Sequence, residues 1–179
     1  MLQLVRLKDS DSSSFADAWQ LYEQAFPFDE RRSLACHTLA MEQEDNFVCL
    51  ALYSCNRFVG VLFYWLLSEC VFVEHLAVVA SERGRGLGKA ALKIVQQYGK
   101  PVILEIEPPA DAVGAKRLRF YESAGYVLLP HEHYQLPYQR GGNKLRLLLL
   151  SFPCVASVAC LDLFEKEYLE LVMRYCEHS

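Results

Sequence analysis

"SERGRGLGKA", residues 81–90, follows directly on the apolar run "CVFVEHLAVV" at 70–79. Gly84, Gly86 and Gly88 fall at alternate positions, interleaved with Arg83, Arg85, Leu87 and Lys89. Three glycines weaken an ordinary helix start. A strand, a glycine turn and then a helix, however, gather the unpaired N–H groups of the first helical turn at the positive end of the helix dipole. That is an anion site, best suited to phosphate. Without Cβ atoms the glycines let a bulky diphosphate lie against the main chain, and Arg83, Arg85 and Lys89 add positive charge on the same turn.

Two common phosphate motifs fail here. The dinucleotide fingerprint G-x-G-x-x-G, begun at Gly84, needs glycine where Lys89 stands. A P-loop ending in Gly88-Lys89 needs Ser or Thr at Ala90 and glycine at Arg83. What remains is R-x-x-G-x-G over Arg83 to Gly88.

Working outward, Leu87, Ala91, Ile94, Val95 and Tyr98 form a helical stripe that stops at Gly99 and Pro101. Upstream, 46–53, 57–67 and 70–78 read as three strands with hairpin-length breaks, hence an antiparallel meander. Before them come a strand at 2–6, a helix at 14–26 with N-cap candidates at Ser12 to Ser14, and a weaker helix at 33–43. Downstream, "PVILEIE" is a strand and 113–124 a helix closed by Gly125. Strands at 126–130 and 143–150 flank the loop "HEHYQLPYQRGGN", and "CLDLFEKEYLELVMRYC" is a last amphipathic helix.

R-x-x-G-x-G between strand and helix, together with "RLRFYESAGY" at 117–126, resembles the GNAT family of acyl-CoA-dependent N-acetyltransferases, and the order of elements is also that family's. The resemblance implies an α+β fold: a mostly antiparallel, twisted sheet of about seven strands flanked by helices. It implies one domain over 1–179, with 151–179 as a C-terminal helical extension.

It also implies acetyl-CoA as cosubstrate, lying where the strand at 71–78 splays from the strand at 101–107. The expected contacts are Leu76, Ala77 and Val78 on the strand, residues Arg83 to Lys89 (Gly84, Arg85, Gly86, Leu87 and Gly88 between them) on the turn, and Arg117 and Phe120 beyond. The Val78 N–H would be the oxyanion donor and Tyr121 the general acid. For the base, Glu74 shares strand parity with Leu76 and Val78, so the three side chains are expected on one face. Glu105, Glu107 or a chain of waters are the alternatives. Many relatives place Asn where this chain has Gly114, so that contact is missing or is supplied by Arg117 or Arg119. "AFPFDERR" at 25–32 corresponds to the acceptor-lining segment, with Phe28, Arg31 and Arg32 either touching the acceptor or solvated.

The function is therefore expected to be transfer of an acetyl group to a small-molecule or peptide amine, the alternative being a non-catalytic acyl-CoA-binding domain. A net charge of −4, from 18 basic and 22 acidic residues, shows no nucleic-acid footprint. The ten-residue apolar run 58–67 is too short to span a bilayer, and the N-terminus shows no secretory pattern, so a cytoplasmic location is expected. Seven cysteines without a Cys-x-x-Cys pair read as buried free thiols. His131 and His133 find no third metal ligand and are expected to face solvent. The apolar last helix suggests a homodimer.

Overall fold

The computed structural model describes residues 2–177; the outermost residues of the expected domain, Met1, His178 and Ser179, lie outside them. Along the chain come β1 (Gln3–Leu7), α1 (Ser13–Ala25), α2 (Leu34–Gln43), β2 (Phe47–Ser54), β3 (Arg57–Leu66) and β4 (Val71–Val78). They are followed by α3 (Leu87–Gln96), β5 (Val102–Ile106), α4 (Ala112–Glu122), β6 (Val127–Gln135), β7 (Leu145–Phe152) and α5 (Val158–Glu167). Helix starts follow local chemistry: the Ser12, Ser33 and Ser157 side chains accept the N–H groups of Phe15, Cys36 and Cys160.

The strands form one sheet in the order β1-β2-β3-β4-β5-β7-β6. Every neighbouring pair is antiparallel except β4 with β5. Side chains alternate between the two faces. On one face Phe47, Phe63, Trp65 and Phe72 of the sheet pack with Phe15 and Tyr22 of α1, Met41 of α2 and Phe164 of α5. On the other, Leu62, Val73 and Leu104 pack with Leu92 and Val95 of α3 and Leu118 of α4. Each large apolar side chain so buried stabilises the fold by about 1.5–3 kcal/mol before chain entropy is set against it.

Two features of the sheet place the site. β4 and β5 pair only from Val71 with Val102 to Val73 with Leu104. On the other side of β4, Phe63 faces His75 while Tyr64 faces Val73, so Glu74 is an extra, bulged residue. A bulge bends and twists its strand. The remainder of β4 continues paired to β3 alone, and a gap opens between β4 and β5.

The expected loop over 131–135 is instead strand: β6 runs through "HEHYQ". Pro130 hid it. β6 is the sheet edge, and its ladder with β7 is irregular between Leu128 and Glu132, where a missing N–H is tolerated. The last helix is also shorter than expected, passing after Glu167 into a π turn, Tyr168–Val172, and a 3-10 turn, Met173–Tyr175. Its apolar stripe packs onto the chain's own core, with the Phe164 and Tyr168 rings 5.3 and 5.7 Å from Phe72.

Candidate active site

The gap presents unpaired backbone. The Val79 N–H bonds the Val59 carbonyl on the β3 side, and a Cβ on Gly60 would strike the Ala77 carbonyl, so Ala77 also faces β3. By strand alternation the N–H groups of Leu76 and Val78 point the other way, into the gap. The Val78 carbonyl accepts from Arg83 Nε at 3.0 Å, which ties the strand end to the turn that follows.

In that turn Gly84 and Gly86 have φ of +80° and +77°, a region L side chains rarely adopt. Around both, the space a Cβ would take is open to 4 Å. Gly86 is the N-cap of α3 with no side-chain cap, and the first helical bond runs from Ala90 N–H to the Gly86 carbonyl, so the preceding amides point out of the helix end. Gly88 serves differently: a Cβ there would lie 2.9 Å from the Phe120 ring, which packs α4 against the turn.

The three cations are not equally available. Arg85 pairs with Glu82 at 2.9 Å, and Lys89 Nζ bonds the Ser123 carbonyl at the end of α4. Arg83 shares its Nε with Val78. Arg117 pairs with Glu107 at 3.3 Å. At Gly114 a side chain would press on the Pro109 backbone at 3.0 Å, and its N–H caps onto Asp111, so glycine here serves the helix start.

Tyr121 lies half-buried on the α3/α4 face with Leu76, Leu87 and Phe120. Burial pushes its phenol up to about 12, with Arg117 pulling weakly the other way. It is therefore a neutral hydroxyl at physiological pH.

The model of the acetyltransferase (GNAT) family matches residues 6–126, the meander, the glycine turn and α4 together. The chain belongs to the GNAT acetyltransferase family. Among its relatives is the provisionally assigned acetyltransferase YjbC of Bacillus subtilis (strain 168), 29% identical over 107 residues. Those residues are 58% of this chain and 53% of YjbC, so the chain spans about half that relative's length. A GNAT-family structure from Bacteroides thetaiotaomicron superposes with a TM-score of 0.86 at 24% identity, over 96% of this chain and 98% of that one. A GNAT acetyltransferase from Elizabethkingia anophelis, solved with acetyl-CoA bound, gives 0.56 at 14% identity, over 84% and 96%.

Against the GNAT pattern, the environment of Glu74 is a correction. The bulge turns Glu74 onto the α1/α2/α5 face, whereas Leu76 packs on the opposite one, so the expected shared parity fails. Its carboxylate accepts from Arg32 Nη1 at 2.5 Å, Tyr138 Oη at 2.8 Å and Trp65 Nε1 at 3.0 Å, and both ionic side chains are 0% exposed. Burial opposes its charge, but Arg32, His75 and Tyr138 outweigh burial and hold it well below the usual carboxylate range. Such a group neither reaches an acceptor nor takes a proton near neutral pH. Arg32, expected near the acceptor or solvated, is interior: its second nitrogen bonds the Val172 carbonyl at 2.6 Å and its guanidinium lies 4.8 Å from the Tyr138 ring centre.

Two other carboxylates lie at the gap instead: Glu30, which sequence reasoning missed, and Glu105, one of the expected alternatives. Glu30 stands on the turn Phe28–Glu30, with its backbone carbonyl 2.8 Å from His75 Nε2 on β4. Burial, then the nearby charge of Glu107, raises it to about 7, against the opposing pull of Arg117 and His75. Glu105, the first β5 residue beyond the paired stretch, bonds His133 Nε2 at 2.9 Å. His133 is 1% exposed, contrary to the solvated histidine expected. The loop after β6 is tied to the Glu30 turn: Gln135 Nε2 bonds the Asp29 carbonyl at 2.7 Å, and Asn143 Nδ2 bonds Asp29 Oδ2 at 3.1 Å.

All seven cysteines are free; Cys49, Cys70, Cys160 and Cys176 are buried, while Cys55 and Cys154 are exposed. Among the described residues no helix is long and apolar enough to cross a membrane.

Proposed function

We propose that the chain is an acetyl-CoA-dependent N-acetyltransferase, acetylating the primary amine of a small molecule or peptide by direct attack in a ternary complex. One observation carries this reading: free strand N–H groups, at Leu76 and Val78, run into a helix end whose first-turn amides are uncommitted, beside a neutral phenol. The residues suit the cosubstrate, since the diphosphate fits the open space at Gly84 and Gly86, and Leu76, Ala77, Val78, Leu87 and Phe120 border its arm. Bound there, the thioester supplies the acetyl group.

The arm is long, so the thioester oxygen belongs near the apex of the gap. We place it on the Leu76 N–H, in place of the Val78 N–H that the resemblance implies, and leave the Val78 N–H for an amide of the arm. A preorganised donor at that oxygen contributes about 3–4 kcal/mol in comparable sites. The acceptor enters from the face of Glu30 and Glu105, opposite Tyr121. Glu30 takes the amine proton, the N–C bond forms as C–S breaks, and Tyr121 protonates the leaving sulfur. The ties across Asp29 favour a small acceptor. We read 1–179 as one unit, with 151–179 walling the acceptor face, and the free thiols fit the reducing cytoplasm.

Thiol release from acetyl-CoA across polyamines, aminoglycosides, amino acids and peptide N-termini tests the proposal. Tight CoA binding without release from any amine would make the chain an acyl-CoA-binding domain. With the best acceptor, Tyr121→Phe should lower turnover about tenfold and leave acetyl-CoA affinity unchanged, since one hydroxyl is removed from a packed ring. Unchanged turnover would leave Tyr121 a packing residue. Glu30→Gln should cost roughly tenfold at neutral pH, below the usual range for a base because water at the half-open mouth also carries protons. The wild-type rate should fall as pH drops through about 7, where Glu30 becomes protonated. That limb should vanish in the variant; its persistence would exclude Glu30 as the base.

A further inference from the structure

Glu105, His133 and the part-exposed Glu165 form a hydrogen-bonded chain centred on a buried histidine, and the transfer mechanism does not use it. His133 Nε2 lies 2.9 Å from Glu105 on β5 and Nδ1 lies 2.8 Å from Glu165 on α5. Neutral imidazole has one N–H and cannot donate to both carboxylates; imidazolium donates to both. Burial works against that charge, but the bonds to Glu105 and Glu165 prevail and raise His133 to about 9. The groups facing it are Glu105 from β5, Glu165 from α5 and Tyr168 from the π turn, with His131, 3.1 Å from Glu165, beside it on β6. The Tyr168 hydroxyl is buried, has no hydrogen-bond partner among the described residues and senses the charges of Glu105 and Glu74.

We propose that His133 is a positioning residue that pins the Glu105 carboxylate at the apex of the gap as the counter-charge for a cationic acceptor amine. This rests on the acetyltransferase reading for the identity of the site. The consequence is specificity for ammonium-bearing acceptors, governed from the C-terminal extension through Glu165.

The test uses the full chain with saturating CoA and n-propylammonium as probe, its dissociation constant followed by NMR from pH 6 to 10. His133→Gln should weaken binding about tenfold with CoA affinity unchanged. Wild-type binding should decline as pH passes about 9, where His133 loses its proton. Glu165→Gln, which keeps a hydrogen-bond partner but removes a charge, should move that decline to lower pH. A merely structural His133 would not give such a shift, and the probe's own pKa, near 10.4 like a lysine amine, stays fixed. Equal probe affinity in wild type and His133→Gln, an unmoved decline in Glu165→Gln, or no saturable binding to the wild type would each overturn the proposal. Thiol release from acetyl-CoA, assayed on the same proteins and probe without added CoA, separates the two readings: probe binding that depends on His133 without release defeats the transferase alone. Release with equal affinities defeats the positioning role alone.

Discussion

Gly86→Glu is expected to abolish CoA binding, a loss of at least a thousandfold, or about 4 kcal/mol, measured by calorimetry. The reason is not a clash, because a Cβ at Gly86 meets nothing within 4 Å. Two other effects act. At φ +77° an L residue pays about 1–2 kcal/mol in backbone strain. The new carboxylate would also occupy the N-cap of α3, where it satisfies the helix end itself and repels a diphosphate. Gly86→Ala separates these effects. It carries the strain without the charge, so it should lose affinity only modestly while thermal stability falls. Affinity within tenfold of wild type in Gly86→Glu would place the diphosphate elsewhere.

The turn was legible because its meaning is local. Arg83 to Gly88 announce a helix start that lacks a side-chain cap, and the residues on either side alternate or repeat at helical spacing without long-range help. Tyr121 could be located in the same way. Glu74 could not. Its parity with Leu76 holds only for an unbroken strand, and the bulge that reverses it appears only when β4 is laid against β3. Arg32 reads as either touching the acceptor or solvated, since nothing nearby in sequence shows that Glu74, Tyr138 and the Val172 carbonyl converge on it from distant segments. His133 falls in the stretch 131–143 that reads as a loop, directly after Pro130. Yet the alternation of His131, His133 and Gln135 is strand-like, and at a sheet edge the proline is admissible. Glu30 gave no signal, because its raised pKa comes from burial and from Glu107 and Glu105, distant in sequence at the end of β5.

Glu74→Gln should therefore act on stability, not on chemistry. Removing one charge of a fully buried pair leaves Arg32 uncompensated in the interior, which typically costs about 3–5 kcal/mol. Urea unfolding should show that loss, with the midpoint lowered and the slope unchanged. Glu74→Leu combined with Arg32→Met removes both charges and should be less destabilised than either single variant. The pH dependence has a definite sign. Glu74 is depressed in the folded state relative to about 4.3 when unfolded. Its stabilising contribution is thus complete above that value and is lost progressively as pH falls below it. Wild-type stability should fall between pH 5 and 3 more steeply than that of the glutamine variant, which has no proton to gain there. At a temperature where the variant stays folded, its rate should keep the acid limb near pH 7 that Glu30 sets. If Glu74→Gln instead erased that limb while stability changed by less than about 1 kcal/mol, Glu74 would be the base after all, and the buried arrangement around Arg32 would have to open for the acceptor to reach it.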